Sequence, residues 1–284
     1  MISEELGALW DDCDYAKTEA AFRELLSKQT DADDRAEVST QIAHVQAYQE
    51  KFDEAHETLD TIEPEIADRS ARVRVLYFLE RGRVLDDSGN PDASRPIFIQ
   101  AWKAARGAGY DSYAIDAANG LARVEPPEKQ LRWCHRAIEL AEESDEPRAR
   151  KWLKWLYRGA GRRYSDTNHF KDALGMFEKA LRGCKEEGNA RMIRVAEGTL
   201  ARCLRSLGRF EEALAIQLRL VDEWTGPRAD VLEEVGECLL ALGREDEARS
   251  YFEDAYAMLK DHASFVEQEA ERFARIERLA RGSE

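Results

Sequence analysis

A small residue on an apolar stripe, followed twelve positions later by a second small residue and then by large and small partners at helical spacing, recurs along this chain. It is clearest where Gly161 precedes Ala173, Phe177 and Ala180, and where Gly236 precedes Ala248, Phe252 and Ala255. Small residues facing each other let two antiparallel helices approach closely, while the aromatic side chain fills the gap between one helix pair and the next. The pattern predicts an array of helical hairpins. Such arrays usually bind something and rarely catalyse anything.

Aligning on the small residue that opens each second helix places anchors at Thr18, Ala55, Ser94, Gln130, Ala173, Ala213 and Ala248, with gaps of 37, 39, 36, 43, 40 and 35 residues. Helix is favoured almost throughout, because 35% of the 284 residues are charged and Ala, Leu, Glu and Arg are abundant. The 43% of hydrophobic residues suffices for a continuous core, and 7 prolines and 17 glycines argue against disorder or a collagen-like repeat. Five cysteines, Cys13, Cys134, Cys184, Cys203 and Cys238, are scattered without any C-x-x-C spacing. They read as reduced core thiols. The acidic start and the shortness of every apolar run argue against a signal peptide or a membrane span, so a cytoplasmic protein is expected.

Spacing of this kind resembles the tetratricopeptide repeat, whose basic unit is 34 residues. The fifth unit carries the resemblance best, with Tyr157, Ala160, Gly161 and Tyr164 on one stripe and Phe170, Ala173, Phe177 and Ala180 on the next. The seventh is nearly as good, with Leu232, Val235, Gly236 and Leu239 before Ala248, Phe252 and Ala255. The sixth puts Gln217 where an aromatic belongs, the third has Pro96 one turn into its second helix, and the fourth has Gln130 at the contact position after Pro126 and Pro127. The resemblance implies an all-α, right-handed superhelical solenoid of about seven hairpins over residues 1–260. Residues 261–284 read as a C-terminal capping helix that docks Phe265, Phe273, Ile276 and Leu279. Pro126-Pro127, Glu143–Pro147 and Thr225–Pro227 are each long enough only to turn between helices, so no inter-domain linker is expected.

No enzyme signature stands out. The chain lacks a phosphate-binding loop, an H-E-x-x-H helix and a calcium loop, and Gly159-Ala-Gly161 lacks the strand and third glycine of a dinucleotide fingerprint. Cys134 and His135 are adjacent and would point about 100° apart on a helix. No catalytic residue, cofactor or metal is expected.

Charge is unevenly distributed within a net of −15. Residues 148–209 hold 16 Lys and Arg against 6 Asp and Glu, whereas the first 70 residues hold 6 against 19, and residues 210–284 hold 9 against 19. The first helix of each tetratricopeptide pair lines the concave face, so the resemblance implies that the residue eleven before each anchor points inward. These are Gly7, His44, Arg83, Asn119, Arg162, Arg202 and Glu237. Arg158 and Arg205 lie one turn from Arg162 and Arg202, and Trp155 adds an aromatic platform. Chaperone-binding members of the family clamp peptide carboxylates with inward Lys, Asn and Arg, although Arg83 and Arg162 stand here where those members carry asparagine.

The expected partner site is therefore Arg83, Asn119, Trp155, Arg158, Arg162, Arg202 and Arg205. Its expected occupant is an acidic or carboxylate-terminated peptide segment held by charge-assisted hydrogen bonds. Two alternatives remain open. One is a short single-stranded nucleic acid end stacked on Trp152 and Trp155, and the other is a regulatory or self-assembling array.

Overall fold

The computed structural model describes residues 2–11, 13–224 and 228–282. The turn expected at Thr225–Pro227 lies outside the described residues. Among the described residues there is no strand, and the helices pair in the expected order. In the first half, α1 (Ile2–Leu9) precedes α2 (Tyr15–Lys28), α3 (Ala32–Tyr48) precedes α4 (Phe52–Asp60), α5 (Ala71–Asp87) precedes α6 (Pro91–Ala108), and α7 (Asp111–Val124) precedes α8 (Pro127–Glu143). A four-residue α9 (Pro147–Arg150) leads into α10 (Leu153–Asp166), which pairs with α11 (Phe170–Glu187). Then come α12 (Ala190–Ser206) with α13 (Phe210–Glu223), and α14 (Ala229–Ala241) with α15 (Glu245–Leu259). Each anchor residue falls on the second helix of its pair, and all but Gln130 are fully buried.

Backbone contacts divide the chain into two compact units, residues 1–156 and 157–284. In the first, Thr18, Ala55 and Ser94 are fully buried at the hairpin contacts. Ser94 Oγ donates to the Gly82 carbonyl at 2.7 Å, the close approach that a small residue at this position permits. The Phe98 ring then lies against Gly82 of its own hairpin and Gly120 of the next, and a Cβ at either glycine would sit within 2.8 Å of it. One aromatic ring thus joins two hairpins.

The fourth hairpin departs from the pattern at Gln130, which is only half-buried and donates to the Glu125 carbonyl at 3.0 Å, across the turn that Pro126 shortens. Pro96 does not delay its helix. α6 begins at Pro91 and runs through Pro96, whose missing N–H removes a single bond near the helix start. Helix ends follow local chemistry: Asp31 and Ser70 accept from the first free N–H groups of α3 and α5, while Gly109 takes the left-handed conformation that ends α6. The connector from α4 to α5 contains a short 3-10 helix, Glu63–Asp68. Buried Arg81 ties it down by bonding to Asp60 and to Glu63.

In the second unit the same glycine–phenylalanine contact recurs. A Cβ on Gly161 would meet the Phe177 ring at 2.6 Å, and one on Gly236 would meet Phe252 at 2.7 Å. The Phe252 ring thus lies against Gly236, and Ala248 of the same helix is fully buried. Gln217 occupies the aromatic position of the sixth pair and is buried, with its amide 3.5 Å from the Gly198 carbonyl. The C-terminal segment is two helices, α16 (Ala263–Gln268) and α17 (Ala270–Arg281), rather than one. α17 packs on α15 with Ile276 fully buried. Phe273, expected to be buried, is half-exposed and stacks on Tyr256 at 5.4 Å.

Candidate functional site

The first helices of successive pairs in the first unit lie side by side in the same direction. Their opening turns meet where Arg72 of α5 donates to Glu37 of α3 at 2.9 and 3.0 Å and lies over the Tyr113 ring of α7 at 5.5 Å. Their closing turns meet where Arg83 of α5 reaches His44 of α3 and Arg123 of α7 reaches Asp86 of α5. Together with α1 and the segment around Trp152 they enclose a cavity of about 690 Å³. Gly7, His44, Arg83 and Asn119, the inward residues inferred from the sequence in this unit, all line it.

The electrostatics differ from the basic strip expected. Arg83 donates to Glu80 on its own helix and to Asp116 on α7. Burial disfavours the Arg83 charge, but Asp116 and Glu80 outweigh it and hold the guanidinium above its ordinary pKa. Burial would likewise raise Glu80, whose side chain is 3% exposed, yet the charge of Arg83 and the His44 ring at 2.5 Å keep its carboxyl below the usual range. The hydrogen bonds that Arg72 donates to Glu37 hold its guanidinium above its ordinary pKa in the same way. Burial raises Asp86 despite Arg123 at 2.5 Å. Four carboxylates, Glu37, Glu80, Asp87 and Asp116, thus share the cavity wall with Arg72, Arg83, Arg123 and Arg148. Arg83 is therefore corrected from an available clamp to the centre of a neutralised cluster, because the acids three residues before Arg83 and Asn119 face inward with them.

What the wall leaves uncommitted is different. The side chains of Gln41 and Asn119 line the cavity and make no hydrogen bond among the described residues. Arg148 makes no ion pair among them either, and its guanidinium lies over the Tyr113 ring at 5.6 Å from the centroid. Aromatic side chains flank these groups. Trp10 packs on His44 at 5.4 Å, His44 meets Tyr48 edge-on at 4.8 Å, and Tyr48, 54% exposed, stacks on Tyr15 at 5.1 Å. Trp152 lines the cavity, whereas the expected Trp155 does not; it is exposed on α10 with Lys154 over its ring at 5.3 Å. Gln41, Arg72, Tyr113 and Arg148 were missed by the sequence reading. The signal for Gln41 was present, since it lies three residues before His44 on the same helix face.

The remaining expected residues belong to the second unit. Arg205 is engaged by Glu234 at 3.0 and 3.3 Å, which removes it as a ready clamp. Arg162 and Arg202 are exposed and make no ion pair among the described residues. Burial and the charge of Arg162 lower the Arg158 pKa. Glu237, the last inward residue, pairs with Arg275 of α17. Burial pushes the Cys238 thiol up to about 11, so it stays an unreactive core group.

The tetratricopeptide repeat profile matches residues 192–261. Those residues are tetratricopeptide repeats. Solved structures share the fold over far more of the chain. A signal-transduction ATPase with numerous domains and a tetratricopeptide repeat sensor, from Pyrococcus horikoshii, superposes with a TM-score of 0.75 at 13% identity over 92% of this chain. This chain spans 41% of that protein. The apo form of the quorum sensor NprR from B. thuringiensis gives 0.65 at 16% identity, covering 93% of this chain and 76% of its own. NprR in complex with its cognate peptide NprX gives 0.54 at 15% identity, covering 97% and 80%. No curated protein matches by sequence. Among the described residues no helix is long and apolar enough to cross a membrane, and no group of three or more His, Cys, Asp or Glu is placed to hold a metal ion.

Proposed function

We propose that the chain is a cytoplasmic, non-catalytic protein-interaction module whose first unit holds an extended peptide segment in the cavity bounded by α1, α3, α5 and α7. The observation that carries this is the pair of carboxamides, Gln41 and Asn119, facing one cavity without a hydrogen-bond partner among the described residues. A carboxamide offers both donors and an acceptor, which match the C=O and N–H of an extended peptide backbone. Apart from Arg148, the charged groups around them are paired, so the backbone meets two free amides against a largely balanced wall. Trp10, Tyr48, Tyr113 and Trp152 supply surfaces for side chains. NprR, whose fold is similar, is solved with a peptide bound.

An acidic or carboxylate-terminated segment remains the preferred occupant. That preference rests on Arg148 in the first unit, and Arg162 and Arg202 offer the same chemistry on the second. A nucleic acid end is disfavoured by the four carboxylates that line the cavity. The test is retention of a synthetic pool of random peptides, five to ten residues long with free termini, by the full chain and by its Gln41→Ala/Asn119→Ala variant. Retention by the parent and its loss in the variant, at unchanged thermal stability, is the expected result. Equal retention by both, or none by either, contradicts the proposal.

A further inference from the structure

The same cavity is electrically polar along its length, and that polarity fixes both the direction and the size of its occupant. At one end lie the opening turns of α3, α5 and α7. There Arg72 and Arg148 each place a guanidinium over Tyr113, at 5.5 and 5.6 Å, and Arg72 donates to Glu37. The N-terminal N–H groups of α7 are already taken by the Glu146 carboxylate at 3.1 and 3.0 Å and those of α3 by Asp31, so the positive charge at this end is carried by the two guanidinium groups. At the other end lie the closing turns. Asp87 lines the cavity there and meets Arg123 only at 3.8 Å, because that guanidinium is taken by Asp86 at 2.5 Å. The C-terminal ends of the same helices favour a cation.

Resting on the peptide-binding reading above, we infer that the cavity takes a free oligopeptide of about seven residues, its C-terminal carboxylate at Arg148 and Tyr113 and its N-terminal amine at Asp87. The length follows from α5. Arg72 and Asp87 are its second and last residues, so at 1.5 Å per residue they stand about 22 Å apart along the axis. An extended chain rising roughly 3.3 Å per residue covers that distance in about seven residues. Gln41 and Asn119 lie between the two ends on α3 and α7, where they meet the middle of such a backbone. Arg148, exposed and free of ion pairs among the described residues, decides whether a carboxylate is read at all. Arg72 already has Glu37.

The experiment uses the full chain and synthetic random heptapeptide pools in three forms: free at both ends, amidated at the C-terminus, and acetylated at the N-terminus. A random tetrapeptide pool with free ends tests the length. Retention of the free heptapeptides should exceed that of the amidated pool by about tenfold or more, since a charge-assisted hydrogen bond is lost. Arg148→Gln should retain the free and amidated pools alike, Asp87→Asn should retain the free and acetylated pools alike, and tetrapeptides should be retained poorly. Both variants change exposed groups, and unchanged melting curves confirm their folds. Retention of all heptapeptide pools without regard to their ends, or an undiminished carboxylate preference in Arg148→Gln, overturns this inference and leaves the peptide-binding reading standing. Retention of no pool overturns both.

Discussion

Glu80 shows why an arginine read from the sequence as inward need not be available to a partner. It is buried, it accepts from Arg83, and its oxygen lies 2.5 Å from His44 Nδ1. Removing one member of such a cluster leaves the others buried without compensation, so Glu80→Gln should cost about 3 kcal/mol in denaturant unfolding at neutral pH. This is the low end for a broken buried pair because Asp116 still faces Arg83. The native carboxyl lies below its ordinary 4.5, so its stabilisation is complete above that value and is lost as pH falls through the lowered native pKa. The difference between parent and variant should therefore shrink as unfolding is measured below about pH 4.5. A difference that grows in acid would mean that Glu80 is not held ionised. The inward positions of Arg83 and Asn119 were legible because spacing places them on the same side as their anchors. The neutralisation of Arg83 was legible too, in Glu80 three residues before it and Asp116 three before Asn119; at Arg162 and Arg202 the equivalent positions are Gly159 and Thr199. Arg72 and Arg148 were not legible, because their shared use of Tyr113 joins residues on three different elements.

Among the elements, the glycine–aromatic contact sets how closely helices approach. Gly120→Ala would put a Cβ within 2.7 Å of the Phe98 ring, which is already held against Gly82. Overpacking there should cost about 1–3 kcal/mol, read from the denaturant midpoint. The same substitution at Gly175, where a Cβ would meet nothing within 4 Å, serves as the control and should not destabilise. Equal effects at the two sites would remove the proposed role of Phe98. The twelve-residue spacing found every hairpin but misplaced details where side chains bond to the backbone, as Gln130 does at the fourth turn. The terminal segment was read as one helix because its apolar stripe is continuous in sequence. In the structure it breaks near Glu269, and only α17 buries a large residue. Ile276→Ala should cost about 2–5 kcal/mol. Hydrogen exchange should find α17 protected and α16 open, and uniform fraying of both would contradict the docking of α17 on α15.

For the whole molecule, a net charge of −15 repels polyanions at long range, while the charges inside the cavity, Arg148 excepted, are paired at short range. A labelled single-stranded oligonucleotide should accordingly fail to bind at physiological salt. Binding that weakened steeply with added salt would instead favour the nucleic acid reading. The central claim is narrower: the first helices of the first four pairs face a peptide. Its most direct measurement is photo-crosslinking of a retained peptide that carries a benzoylphenylalanine, with the adducts on the full chain mapped by mass spectrometry. The account predicts adducts on the cavity-facing residues of α1, α3, α5 and α7, lost on competition with the unmodified peptide. Adducts confined to α2, α4, α6 and α8, or to the second unit, would contradict it.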